Sequence, residues 1–131
     1  MFYVTKIENA RMSVPVPEYH DVGGTAIAEG ETVALNASGL LVKNNTAPTF
    51  IAAADAAANA KGAPVFRITP DMVFEVPVAS GTPATIKAGA KITVATSGTE
   101  VVATTSDSGI VTVVNPNGAA AVGDTILVRF H

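Results

Sequence analysis

One short phrase, used three times, constrains this chain more than any other feature. It is an apolar lead-in, a glycine, a small or polar residue, then an alternating strand. The copies are Ile27-Ala28-Glu29-Gly30-Glu31-Thr32-Val33-Ala34-Leu35, Ile86-Lys87-Ala88-Gly89-Ala90-Lys91-Ile92-Thr93-Val94 and Ala120-Ala121-Val122-Gly123-Asp124-Thr125-Ile126-Leu127-Val128. Each reads as a tight turn that feeds a strand. Glycine supplies the positive φ such a turn needs, and Val/Ile alternating with Thr, Ala or Leu suits a pleated, half-buried surface. The copies are unequally spaced, which does not support a solenoid or propeller. The phrase carries a fold signal and no chemistry.

A chain of 131 residues fits one domain and can bury a core without disulfide or metal staples. Apolar residues make up 48%, yet aromatics are only 5% and Trp is absent, so the core is built from Ala and Val rather than large anchors. Charged residues, at 15%, fall well below the usual quarter. That surface suits coverage by a partner, and equally an ordinary Ala/Thr-rich domain. The net charge of −3, with no Lys/Arg run, argues against nucleic-acid binding through phosphates. The absence of Cys excludes disulfides and a thiolate zinc site. Residues Met1 to Val16 lack the basic and long apolar regions of a signal peptide. Phe50 to Ala60 is too short and interrupted to span a membrane.

Residues 1–24 differ from the rest and are expected to form an extended N-terminal arm. Phe2-Tyr3-Val4 could be a short strand. Val14-Pro15-Val16-Pro17 favours a polyproline-like path without ladder donors, and Gly23-Gly24 reads as a hinge. The alternative is an edge strand folded back on the body. The body, residues 25–131, is expected to be a single β-rich domain. Strands are expected at Thr25–Ile27, Thr32–Leu35, Leu40–Lys43 and Thr49–Ala53. Ala54 to Lys61 has high helix propensity but only about two turns of length, so it is either a short helix or a loop ending at Gly62. Pro64–Thr69 and Met72–Val78 alternate on either side of Pro70-Asp71. They are expected to pair antiparallel, with Phe66 and Phe74 as core anchors. A loop is expected over Ala79–Pro83, then strands at Glu100–Thr104, Ile110–Val114 and Thr125–Phe130, with a turn at Asn115-Pro116-Asn117-Gly118. Many short strands and no long helical period predict an all-β fold, a small barrel or sandwich of short antiparallel strands with at most one short helix.

Glu18-Tyr19-His20-Asp21 is the one place where His and carboxylates cluster. It offers too few convergent ligands for a metal site and reads as a solvated turn. A Ser13/His20/Asp21 triad lacks a nucleophile-elbow context. Asp71 and Glu75 share a strand face, but exposed charges beside a turn explain them better than a glycosidase pair. Thr105-Ser106-Asp107-Ser108-Gly109 lacks the ligand spacing of a calcium loop. Asn36-Ala37-Ser38 and Asn44-Asn45-Thr46 match glycosylation sequons by chance. Neither Lys87 nor Lys91 has the flanking motif of a biotinyl or lipoyl carrier lysine. No cofactor and no enzymatic centre is expected.

The order of features does point to a family. An extended arm precedes the first glycine turn, followed by Gly39-Leu40-Leu41-Val42-Lys43 and Pro48-Thr49-Phe50-Ile51-Ala52. Then come Val65-Phe66-Arg67-Ile68, Val73-Phe74-Glu75-Val76, and finally Gly123-Asp124 with a Val-Arg-Phe ending. Across essentially its whole length the chain resembles the head decoration, or cement, proteins of tailed bacteriophages. The resemblance implies a structural virion protein on the capsid exterior, present in the cytoplasm of the infected bacterium before assembly. It implies the major capsid protein as partner, self-association favouring trimers, and stabilisation of the expanded shell against packaged DNA. It also implies a capsid-gripping arm, for which Phe2, Tyr3, Val14, Pro15 and Val16 are the candidate contacts. The other reading is a different virion surface component, such as a head-fibre base or β-rich adhesion module.

Overall fold

The computed structural model describes residues 1–7 and 16–131. The strands are β1 (Tyr3–Ile7), β2 (Glu18–His20), β3 (Thr32–Leu35), β4 (Leu41–Lys43), β5 (Phe50–Ala52) and β6 (Ala63–Arg67). They continue as β7 (Met72–Gly81), β8 (Lys91–Val94), β9 (Val101–Ala103), β10 (Val111–Asn115) and β11 (Thr125–Phe130). Among the described residues the helical content is one 3₁₀ turn, Pro83–Thr85. The fold is all-β.

The strands form two sheets, and both close on themselves. The first runs β2-β6-β5-β3-β4. Val22, just beyond β2, then bridges Leu41 of β4 in parallel and completes the ring. The second runs β7-β11-β10-β8-β9, and β9 returns to β7 through parallel pairs such as Val78 with Val101. Closure leaves each ring with few unpaired edges. The antiparallel pattern expected from sequence therefore holds except at the two closing contacts. Strand β1 adds to β7 outside the second ring, antiparallel, with Tyr3 opposite Glu75 and Ile7 opposite Met72.

Each barrel has its own core. Val22, Ile27, Val33, Leu41, Phe50, Ala52, Ala63 and Val65 fill the first. The second is larger and includes Phe74, Val76, Val78, Ile92, Val101, Val111, Ile126 and Val128, all essentially inaccessible. Each such side chain contributes about 1.5–3 kcal/mol by leaving water. Ile51, on the outer face of the first barrel, joins the second core and ties the two together.

The barrels are one module used twice. The β3–β5 pairs Thr32/Ile51 and Val33/Phe50 match the β8–β10 pairs Lys91/Thr112 and Ile92/Val111. Strands β5–β6 pair Phe50/Arg67 and Ala52/Val65, and β10–β11 pair Val111/Phe130 and Val113/Val128. Strands β2–β6 pair Glu18/Val65, and β7–β11 pair Phe74/Val128. Both rings close in parallel, Val22/Leu41 against Val78/Val101.

The repeated phrase is a structural device of this module. Gly30, Gly89 and Gly123 have φ of 74°, 88° and 96°. In each copy the next residue donates its N–H three residues back: Glu31 to Ala28 (3.1 Å), Ala90 to Lys87 (3.1 Å) and Asp124 to Ala121 (3.2 Å). Each glycine N–H donates at 2.8 Å to a neighbouring carbonyl, of Ala52, Val113 and Val78. A fourth copy, hidden in the sequence, completes two per barrel. In Ala57-Ala58-Asn59-Ala60, the Ala60 N–H donates to Ala57 at 3.1 Å and Asn59 has φ 60°. Asn is the non-glycine residue that best tolerates this conformation. Asn59→Gly is therefore expected to keep wild-type stability, whereas Asn59→Val should cost about 1–2 kcal/mol in urea unfolding. An Asn59→Val protein as stable as wild type would remove this turn from the set.

Residues 54–61, left open between a short helix and a loop, form bends and a turn whose backbone bonds the 22–27 stretch, Val22 N–H to Ala60 and Ala56 N–H to Ile27, each 2.9 Å. Four expectations need correction. Thr25–Ile27 is not a strand but a single bridge from Ile27 to Ala56. Strands β6 and β7 do not pair: the Pro70-Asp71 turn carries the chain from one barrel to the other, and β7 runs on to Gly81 where a loop was expected. Phe66 is half-buried on the outer face opposite Ile51, and Phe50 is the aromatic anchor of the first core. Phe74 is the anchor of the second, as expected.

Candidate functional surface

The two barrels differ most at one mouth. In the second barrel, Phe74 and Phe130 meet edge-on at 5.5 Å. Phe2, just before β1, seals them, at 5.8 Å from Phe74 and 5.3 Å from Phe130. The equivalent positions in the first barrel hold Glu18 and Arg67. Their side chains form a two-pronged ion pair, Nε to Oε2 at 2.8 Å and NH2 to Oε1 at 2.9 Å. The guanidinium also lies 4.8 Å over the Phe50 ring. His20 packs against the same ring at a tilt of 47°, centroids 5.3 Å apart, its Nε2 3.5 Å from Glu18 Oε1. A sealed aromatic mouth on one barrel thus corresponds to an open, charged mouth on the other.

The carboxylates here are held ionised. Hydrogen bonding to Arg67 lowers the pKa of Glu18 below the usual carboxylate range. Asp21 is lowered first by the Gly62 N–H (3.1 Å) and then by the Lys61 ammonium (3.2 Å). Asp124 is lowered by the N–H groups of Ala120 and Ala121, which cap the third glycine turn. Depressed carboxylates favour the fold above their unfolded pKa values and lose that contribution as pH falls through the folded ones. Asp124 is exposed and Glu18 and Asp21 are partly so, and solvent screening keeps each effect small.

A buried charge sits elsewhere. Glu31, 1% exposed, follows the first phrase glycine and accepts the Ala28 N–H at 2.8 Å. Its other oxygen meets the half-exposed Lys43 ammonium at 2.8 Å. The matching positions in the second barrel are Ala90 and Ala103, so the pair belongs to one module alone. Its neighbour Thr32 donates to the Gly98 carbonyl at 2.8 Å, which joins the first barrel to a hairpin of the second.

The residues singled out from sequence are dispersed. Phe2 is buried, while Tyr3 is 54% and Val16 79% exposed. Val14 and Pro15 lie outside the described residues. The two strands described within residues 1–24 both pair into the sheets: β1 and Phe2 complete the second barrel, and β2 opens the first. Asp71 accepts a short hydrogen bond from Thr69, and Glu75 accepts one from Thr125 at 3.0 Å. The roles of Arg67 and Phe50 escaped sequence reading. The clean alternation of Pro64–Thr69 placed Arg67 on a strand, but Glu18 is distant in sequence and gave no signal.

Two of the shallow clefts among the described residues flank the second barrel. One, of about 340 Å³, lies between β1 and the outer face of β5 and β6, lined by Tyr3, Val4, Ile51 and Phe66. The other, of about 420 Å³, follows the β6–β7 crossover over Ile68, Ile110 and Phe130. No protein-family model matches the chain, and no curated protein matches it.

Proposed function

We infer that this chain is a structural virion protein that binds the exterior of an expanded phage capsid and stabilises it against internal DNA pressure. Its partners are the major capsid protein and further copies of itself, with trimers favoured. The reading starts from the resemblance to head decoration proteins, with which an all-β body agrees. The observation that carries it is the placement of large exposed apolar side chains. Tyr3, Tyr19 and Leu35 stand on strands, Val16 just before β2 and Val122 in a turn, all exposed. Exposed apolar groups spread over the surface suit a broad protein contact, where tyrosine is a frequent anchor. On a repeating shell each contact can be weak, because many act together.

Purified protein mixed with expanded, undecorated shells is expected to bind to a fixed stoichiometry in co-sedimentation. Tyr3→Ser, which leaves Phe2 in place, should weaken attachment about tenfold. Intact, folded protein that stays in the supernatant would refute the reading.

A further inference from the structure

The module repeat exposes an asymmetry. In the second barrel the outer edge of β7 carries β1. The equivalent edge in the first barrel belongs to β2, and among the described residues no strand pairs with it. Its main-chain groups have a definite direction. Asp21 C=O accepts from Leu41 N–H at 2.8 Å and Gly23 N–H donates to Leu41 C=O at 2.9 Å, so odd-numbered residues here face the β4 side. Alternation along a strand then turns the Tyr19 N–H and C=O towards the same side, where β4 no longer reaches. Tyr19 pairs with Pro64 on the β6 side, and Pro64 has no N–H to give.

The bare edge is not shaped for a strand like β1. The socket that Phe2 fills in the second barrel is occupied in the first by the Glu18–Arg67 ion pair. What fits instead is β2 itself. Glu18-Tyr19-His20 laid antiparallel on its own copy about a two-fold axis places Tyr19 opposite Tyr19, Glu18 opposite His20, and His20 opposite Glu18. The two tyrosines exchange both main-chain hydrogen bonds, the arrangement of a hydrogen-bonded antiparallel pair. Each carboxylate faces an imidazole, as Glu18 and His20 already do within one chain at 3.5 Å. Tyr19, 65% exposed, and Val16, 79% exposed, are the two most exposed large apolar residues described, and both lie on this stretch.

We propose that the β2 edge is a self-recognition surface through which two copies of this chain pair antiparallel about Tyr19. The contact is short and therefore weak, and Pro17, which lacks an N–H, stops it from lengthening. It does not depend on the capsid reading. It would link neighbouring copies, or neighbouring trimers, by a two-fold contact.

The chain has no cysteine, which permits a clean test. A hydrogen-bonded antiparallel pair holds its Cα atoms about 5.5 Å apart, within disulfide range. Tyr19→Cys is expected to give a disulfide-linked dimer under mild oxidation, and to do so at least about tenfold faster than Val122→Cys, which serves as an exposed control. In sedimentation equilibrium the wild-type protein should show a concentration-dependent doubling of mass. Tyr19→Lys should weaken that doubling about tenfold or more by setting two like charges face to face. Tyr19→Pro, which removes the outward N–H and the phenol ring but no hydrogen bond to β6, should do the same. Equal cross-linking of the two cysteine variants would overturn the proposal, as would a mass that does not double. So would a doubling that Tyr19→Lys leaves intact. If Tyr19→Lys reduces shell binding and leaves self-association unchanged, the edge serves a capsid strand and not a second copy.

Discussion

Deleting Met1–Ile7 is expected to unfold the second barrel, not to trim an appendage from it. Phe2 is 3% exposed and completes the trio with Phe74 and Phe130. Truncating a buried Phe to Ala typically costs about 3–5 kcal/mol. Deletion adds the loss of the β1–β7 ladder and bares the edge of β7 from Met72 to Glu75. The Met1 ammonium, hydrogen-bonded to the Thr99 carbonyl, goes as well. A domain of this size has only about 5–15 kcal/mol in total, so most of it would vanish. Phe2→Ala alone should lower stability by about 3–5 kcal/mol in urea unfolding, and Phe2→Leu should recover much of that. A chain lacking residues 1–7 that melts like the full-length protein would show β1 to be dispensable. This outcome bears on capsid attachment too. Loss of binding on truncation would report loss of the fold, which is why Tyr3→Ser is the sharper probe.

The second large effect is expected at the closing seam of the same barrel. Gly81 has φ 96°, and a Cβ there would lie 2.5 Å from the Ala103 carbonyl oxygen and 2.6 Å from its carbon. Those are backbone atoms of β9, held in the parallel pairing that closes the ring, so they have no room to give. Gly123 has the same φ of 96° with open space where its Cβ would go. The pair separates two costs. Gly123→Ala should lose only the conformational term, about 1–2 kcal/mol. Gly81→Ala should lose that and the clash, about 3–4 kcal/mol together, with faster amide exchange at Val102 and Ala103. Equal losses at both sites would mean that the seam yields freely and that the barrel is not closed tightly there.

Much of the local structure was legible in the chain. The spans of β3 and β11 follow from clean alternation bounded by a glycine turn, and the positive φ of the three phrase glycines follows from their place in that turn. Pairing was not legible. Strands β6 and β7 are adjacent and both alternate, so a hairpin was the natural reading. Their actual partners, β2 and β5 for β6 and β1, β9 and β11 for β7, come from all along the chain. The fourth turn was masked because Asn59 replaces glycine among alanines that also favour helix. The module repeat was masked because matched positions keep apolar character and not identity, as Val33 against Ile92 and Leu41 against Val101. Prolines 15 and 17 made residues 1–24 read as an arm, while the packing of Phe2 depends on Phe130 at the opposite end of the sequence. The charged mouth was half visible: Glu18, His20 and Asp21 cluster locally, but Arg67 and Phe50 join them only through the fold.

The contact between Phe2 and Phe130 also sets an order of events during synthesis. The first barrel draws on residues between Glu18 and Arg67, and can close while the rest of the chain is still being made. The second needs β11, and β1 finds its complete socket only once Phe130 has emerged. Strand β1, made before the first barrel, is therefore seated after it. Until then its apolar side chains stay available to chaperones, and to the β7 edge of another nascent chain.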